Sequence, residues 1–167
     1  ELTDLPIANA SLLDEGTAAA EAIAMSWSLK KKKTNKVLID RNLFPQTISV
    51  IKTRANSMGI EVDVDCVLDS DQFDDYFAMV VQNRTNMGDV PNYTQTCDLA
   101  RNKQCATIAC CDPLSLTLYK SPGEQGFDIA VGSFQRFGLP MGNGGPHAAF
   151  ISCNEKYVRK MPGRIVG

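Results

Sequence analysis

Residues 36–64 read KVLIDRNLFPQTISVIKTRANSMGIEVDV. Lys36–Asp40 is a short apolar run, suited to a strand buried on both faces. Pro45 has no N–H to lose and a fixed φ at the first helical position. It opens a helix over Phe44–Met58, which Gly59 closes by tolerating left-handed backbone. A second apolar run, Ile60–Val64, follows at once. Strand, helix and strand in so short a span form a βαβ unit, the building block of an α/β sheet.

The alternation continues on either side. Asp14–Lys31 is alanine-rich and helical, with Ala18, Ala22, Met25 and Leu29 on one face. Acidic Asp14 and Glu15 sit at its positive end, and the lysines Lys30–Lys33 suit its negative end. Asp69–Asp75 is a short acidic helix or turn, and Tyr76–Gln82 (YFAMVVQ) an apolar strand. Asn92–Asn102 is helical, and Ala106–Cys111 (ATIACC) is a buried strand ending at Asp112-Pro113. Leu114–Tyr119 makes a short helix, Ser121-Pro122-Gly123 a turn, and Phe127–Gly132 a further strand. With each strand apolar throughout, the expected architecture is one α/β domain over residues 1–167, its mostly parallel sheet covered by helices on both faces. Ligands of such sheets sit beyond the carboxyl ends of the strands.

Asp112 falls at such an end, and so does the loop within Asp128–Phe150, DIAVGSFQRFGLPMGNGGPHAAF. Polar Ser133, Gln135 and Arg136 follow the apolar start. Gly138, Gly142, Gly144 and Gly145 come next, and then another apolar run. Clustered glycines let backbone N–H groups approach a ligand or a neighbouring chain, and equally make a tight connection between strands. His147 is the only histidine: either an acid or base, or a hydrogen-bonded interface residue. Arg136, Arg159 and Arg164 are candidates to pair carboxylates of a substrate or partner, against solvated or structural roles.

A chain of 167 residues, 44% hydrophobic and with net charge −2, has material for one core. It has no basic footprint for nucleic acid, since Lys30–Lys33 is too short a run. No apolar stretch approaches the ~20 residues that span a bilayer. The opening residues show neither a signal nor a transit pattern, and with no initial methionine an internal fragment is expected. The six cysteines lack metal-ligand spacing and are expected to be reduced. Vicinal Cys110 and Cys111 should point to opposite faces of a strand. The sequons beginning at Asn9, Asn83 and Asn92 are taken as chance.

The order of elements resembles that of fold-type I pyridoxal-phosphate enzymes. Leu5–Ala22 (LPIANASLLDEGTAAAEA), Cys110–Gly126 (CCDPLSLTLYKSPGEQG), Asp128–Ala149 and Met161–Gly167 (MPGRIVG) resemble the glycine cleavage system P-protein more closely. That family has two homologous halves, fused or separate, and its cofactor lysine stands in a His-Lys-Thr-Phe motif of the C-terminal half. This chain resembles the N-terminal half. Laid against the active loop through Pro140, Gly142, Gly144, Gly145 and Pro146, the lysine position falls on Gln135, and positions 133–149 contain no lysine. An amide cannot form a Schiff base, and an arginine that is always protonated cannot replace the amine.

The resemblance implies pyridoxal phosphate in the complete enzyme, with the Schiff-base lysine outside this chain and no catalytic residue or metal ligand within it. It implies Asn143, Gly144, Gly145 and His147 lining the partner half's pocket. Its implied partners are the C-terminal catalytic half, lipoylated H-protein and glycine, with no nucleic acid or membrane. The compartment would be the mitochondrial matrix in a eukaryote and the cytoplasm in a bacterium. Charge points the same way: a like-charge pair ~4 Å apart at effective dielectric ~20 costs about 4 kcal/mol, so Asp14 and Glu15 oppose a phosphate at their helix start. Asp112 has the place of a pyridinium partner, although before proline it also suits a turn or cap. A docking module for the lipoyl carrier, and a self-sufficient decarboxylase or aminotransferase with a displaced lysine, are the alternatives.

Overall fold

The computed structural model describes residues 1–9 and 11–163. The βαβ unit is present as β2 (Lys36–Asp40), α2 (Pro45–Ser57) and β3 (Glu61–Asp65), with β2 and β3 parallel in register from Lys36↔Glu61 to Asp40↔Asp65. Pro45 occupies the first turn of α2, and Gly59 takes φ +67 just beyond its end. Thr47, Ile51 and Ala55, spaced by four, form the buried stripe of α2.

Around this unit stand β1 (Ile7–Ala8), α1 (Glu15–Leu29), β4 (Tyr76–Asn83), α3 (Thr94–Asn102), β5 (Ala106–Cys111), β6 (Ile129–Ser133) and β7 (Ala149–Cys153). The seven strands form one sheet in the order β1-β7-β6-β5-β4-β2-β3. The pairs from β3 through β6 are parallel, whereas β7 runs antiparallel to both β6 and β1.

The period-2 geometry of strands divides the core between two faces. Val37, Ile39, Val80, Ile108 and Cys110 pack under α1 and α2. Their neighbours Leu38, Met79, Val81 and Ala109 pack with Tyr93, Cys97 and Ala100 of the α3 segment. Each fully buried aliphatic side chain contributes about 1.5–3 kcal/mol. Cys110 and Cys111 do face opposite ways, the second joining a smaller cluster with Leu5, Leu116 and Phe150. Burial pushes the thiols of Cys97 and Cys105 up to about 12, so they behave as small hydrophobes.

Several expectations need correction. β3 is not apolar throughout: its EVDVD sequence alternates because it is an edge strand with an exposed face. The lysine run starts at Lys30, the C-cap of α1, and no basic residue lies in the last turn itself. Lys30 Nζ donates to Thr34 O and lies 5.1 Å from the Trp27 ring centre, while Lys32 Nζ donates to the carbonyls of Phe73, Asp74 and Tyr76. The segments 69–75 and 114–119 shorten to single 3₁₀ turns, Phe73–Asp75 and Ser115–Thr117. Asn83, inside β4, is buried and unsuited to carry a glycan.

Candidate functional site

Because β4, β5 and β6 run the same way, their carboxyl ends come together at one margin of the sheet, where α1 also begins. A cleft of about 200 Å³ opens there between Phe44, the ends of these strands and the turn after β6. Asp112 and Gln135, both expected at this margin, line the cleft.

Asp112 is fully engaged. Its Oδ1 accepts the Leu114 N–H at 3.1 Å, which makes it a turn former, and its Oδ2 accepts the guanidinium of Arg136. The Asp112 side chain is 17% exposed and that of Arg136 54%. Arg136 reaches it from a 3₁₀ turn, Gln135–Phe137, that Ser133 Oγ starts by accepting the Gln135 N–H. The Gln135 amide turns back on its own loop, with Nε2 3.7 Å from Met141 Sδ. Gly144 and Gly145 take φ +135 and +64, backbone that a side chain would strain.

At the start of α1, Asp14 and Thr17 form a reciprocal capping box: Asp14 Oδ1 accepts the Thr17 N–H at 2.8 Å, and Thr17 Oγ1 accepts the Asp14 N–H at 3.2 Å. Partial burial works to raise the Asp14 carboxyl pKa, but the two Thr17 hydrogen bonds outweigh it, His147 adds attraction, and the net shift is downward. Glu15 behaves oppositely. Burial pushes its carboxyl up to about 7; the Gln82 amide opposes this, while the charges of Asp112 and Asp14 add to it. Glu15 Oε1 and Gln82 Oε1 are both buried without a hydrogen-bond partner.

Of the other residues expected at a site, Asn143, Gly144 and His147 are exposed on the loop between β6 and β7, and Gly145 is buried within it. Arg159 is exposed on the turn after β7, apart from the cleft, and Arg164 lies outside the described residues. Glu15, Gln82 and Arg84 were not singled out from sequence as cleft residues. The available signal was Gln82 itself, a polar side chain closing an otherwise apolar strand at its carboxyl end.

A pyridoxal phosphate held by this chain alone would need free N–H groups for its phosphate, a carboxylate for its ring nitrogen and an amine. The helix start is capped by Asp14, the Asp112 carboxylate is taken by Arg136, and the cleft is lined by the Gln135 amide and by no lysine among the described residues. The residues do not fit the group.

The sheet order, with its antiparallel β7 and a cleft at the parallel strand ends, is that of the fold-type I class. A methionine gamma lyase from Micromonospora echinospora aligns with 95% of this chain and 42% of its own at TM-score 0.68 and 15% identity, a likeness of fold. The family model described as glycine cleavage system P-protein matches residues 1–167, and the chain belongs to that family. A glycine dehydrogenase (decarboxylating) of Synechocystis sp. is 52% identical over all of this chain and 17% of its own length. A putative mitochondrial glycine dehydrogenase (decarboxylating) of Schizosaccharomyces pombe is 47% identical over all of this chain and 16% of its own. The crystal structure of an inhibitor-bound glycine decarboxylase (P-protein) of the glycine cleavage system superposes at TM-score 0.89 and 32% identity, covering 97% of this chain and 38% of that one. The chain thus spans only about a sixth of the length of these curated relatives.

Proposed function

We propose that residues 1–167 form one α/β domain in the N-terminal, cofactor-free half of a pyridoxal-phosphate-dependent glycine decarboxylase. The Schiff-base lysine belongs to a C-terminal catalytic half, to which this half lends surface and shape. The observation that carries this reading is the pairing of Arg136 with Asp112 in a cleft lined by the Gln135 amide and by no lysine among the described residues. An arginine neutralises the carboxylate that a bound cofactor's ring nitrogen would otherwise claim.

In the whole enzyme, glycine loses its carboxylate as CO₂ and the aminomethyl group passes to the lipoyl arm of the H-protein. This half supplies no group to that chemistry. Leu118, Phe137 and Met141, on the loops following β5 and β6, are 82%, 50% and 71% exposed, which suits burial against the catalytic half. Asn143, Gly144, Gly145 and His147 lie on the same loop and would line the partner's pocket. The compartment follows the parent, mitochondrial matrix in a eukaryote and cytoplasm in a bacterium.

The test is to co-express the two halves of the parent as separate polypeptides. Co-purification with glycine-dependent CO₂ release is expected, and Phe137→Asp with Met141→Asp should weaken the pairing at least tenfold. Halves that neither associate nor release CO₂ would overturn the assignment.

A further inference from the structure

The charges around the cleft do not all cancel internally. Asp112 and Arg136 neutralise one another. That leaves Glu15, whose buried Oε1 has no hydrogen-bond partner, and Arg84, which has no carboxylate partner among the described residues. Both line the same cleft of about 200 Å³. Gln82, only 2% exposed, lines it too, and its unpartnered Oε1 adds a second acceptor near Glu15. A buried acceptor without a donor loses its hydrogen bond to water and gains nothing in return, so two such acceptors side by side call for a donor.

Arg84 carries an independent mark. Its φ of +87 is left-handed backbone, costly for a residue with a Cβ, and such strain gathers at ligand sites. It sits immediately beyond β4, so the strained residue is the one that delivers a guanidinium to the cleft margin.

We propose that this cleft binds a small zwitterionic α-amino acid, its ammonium on Glu15 and Gln82 Oε1 and its carboxylate on Arg84. A zwitterion offers an ammonium donor to the two unpartnered acceptors and a carboxylate to the exposed guanidinium of Arg84, whereas a simple amine or acid would leave one side of the cleft unmatched. The space suits a side chain of few atoms, and Phe44 supplies an apolar wall. The cleft is lined by residues of this chain, and the inference rests on the reading that this half holds no cofactor of its own.

The experiment uses the complete enzyme and titrates it calorimetrically with glycine, ethylamine and acetate. Wild type should show two classes of glycine site per pair of halves, with ethylamine and acetate each at least tenfold weaker at the second. Glu15→Gln and Arg84→Ala should each weaken the second class at least tenfold while the first persists, with far-ultraviolet circular dichroism unchanged. A single class in wild type, as when water or a lysine of the other half fills the cleft, overturns the proposal. So does a second class indifferent to both substitutions, or ethylamine binding there as tightly as glycine. Halves that fail to associate sink the functional reading itself, whereas one class in an intact, active complex sinks only this inference.

Discussion

Arg136, on the turn after β6, holds the carboxylate of Asp112 at the end of β5, and the same carboxylate accepts the Leu114 amide. One residue thus ties two neighbouring strand ends to a turn. Because Arg136 is half exposed, the pair itself should be worth about 1 kcal/mol and should weaken as salt rises. A double-mutant cycle with Asp112→Ala and Arg136→Ala, read by urea unfolding, should give that coupling. Asp112→Ala alone should cost more than Arg136→Ala, since it also orphans the Leu114 N–H. Equal single-mutant costs would contradict this account.

Glu15 should make stability depend on pH. Its carboxyl ionises near 7 when folded and near the ordinary 4.5 when unfolded, so between these values the folded chain holds more protons. The stabilisation is fully present below about pH 4.5 and is lost as pH rises through about 7. From the shift, the loss is on the order of 3 kcal/mol. Glu15→Gln should remove the slope across that window, and unfolding curves collected at several pH values would reveal an unchanged slope if another group were responsible.

At Gly132 a Cβ would stand 2.0 Å from Cys111 O and 2.9 Å from Phe150 Cε1. The first neighbour is backbone of the adjacent strand and cannot step aside without breaking the sheet. Gly132→Ala is therefore expected to destabilise by about 2–4 kcal/mol or to yield insoluble protein. Thermal melting checks it, with Gly59→Ala as a control: that position has open space around its Cβ and only a strained φ.

Lys32 Nζ caps the carbonyls of Phe73 and Tyr76 at 2.6 and 3.0 Å, binding the loop after α1 to the entry of β4. Lys32→Met should keep the aliphatic stem and lose the donors, costing about 1–2 kcal/mol. Amide exchange should quicken at residues 73–76 and stay unchanged in α3.

The α/β architecture was legible because its strands and helices carry strong local marks. KVLID and ATIACC match β2 and β5 end to end, and Pro45 and Gly59 bracket α2. What local pattern does not encode is pairing. Ile7–Ala8 is too short to register as a strand, yet it extends the sheet because β7 offers it an edge. The absence of a lysine from positions 133–149 was visible in sequence, but the Asp112–Arg136 pair joins side chains from different strand ends and emerges only once β5 and β6 lie side by side. Glu15 read as a dipole-favouring acid at a helix start; its meeting with Gln82 depends on how α1 lies over β4.

The pairing of Ile7 with Cys153 sets a timetable for biosynthesis. At ~5–20 residues per second, roughly 7–30 seconds separate the emergence of one strand from that of its mate. During that interval β1 has nothing to bond with, while the βαβ unit of β2, α2 and β3 has all its parts and can assemble early. On the ribosome the sheet is therefore expected to grow from its β3 margin and to acquire its opposite margin last.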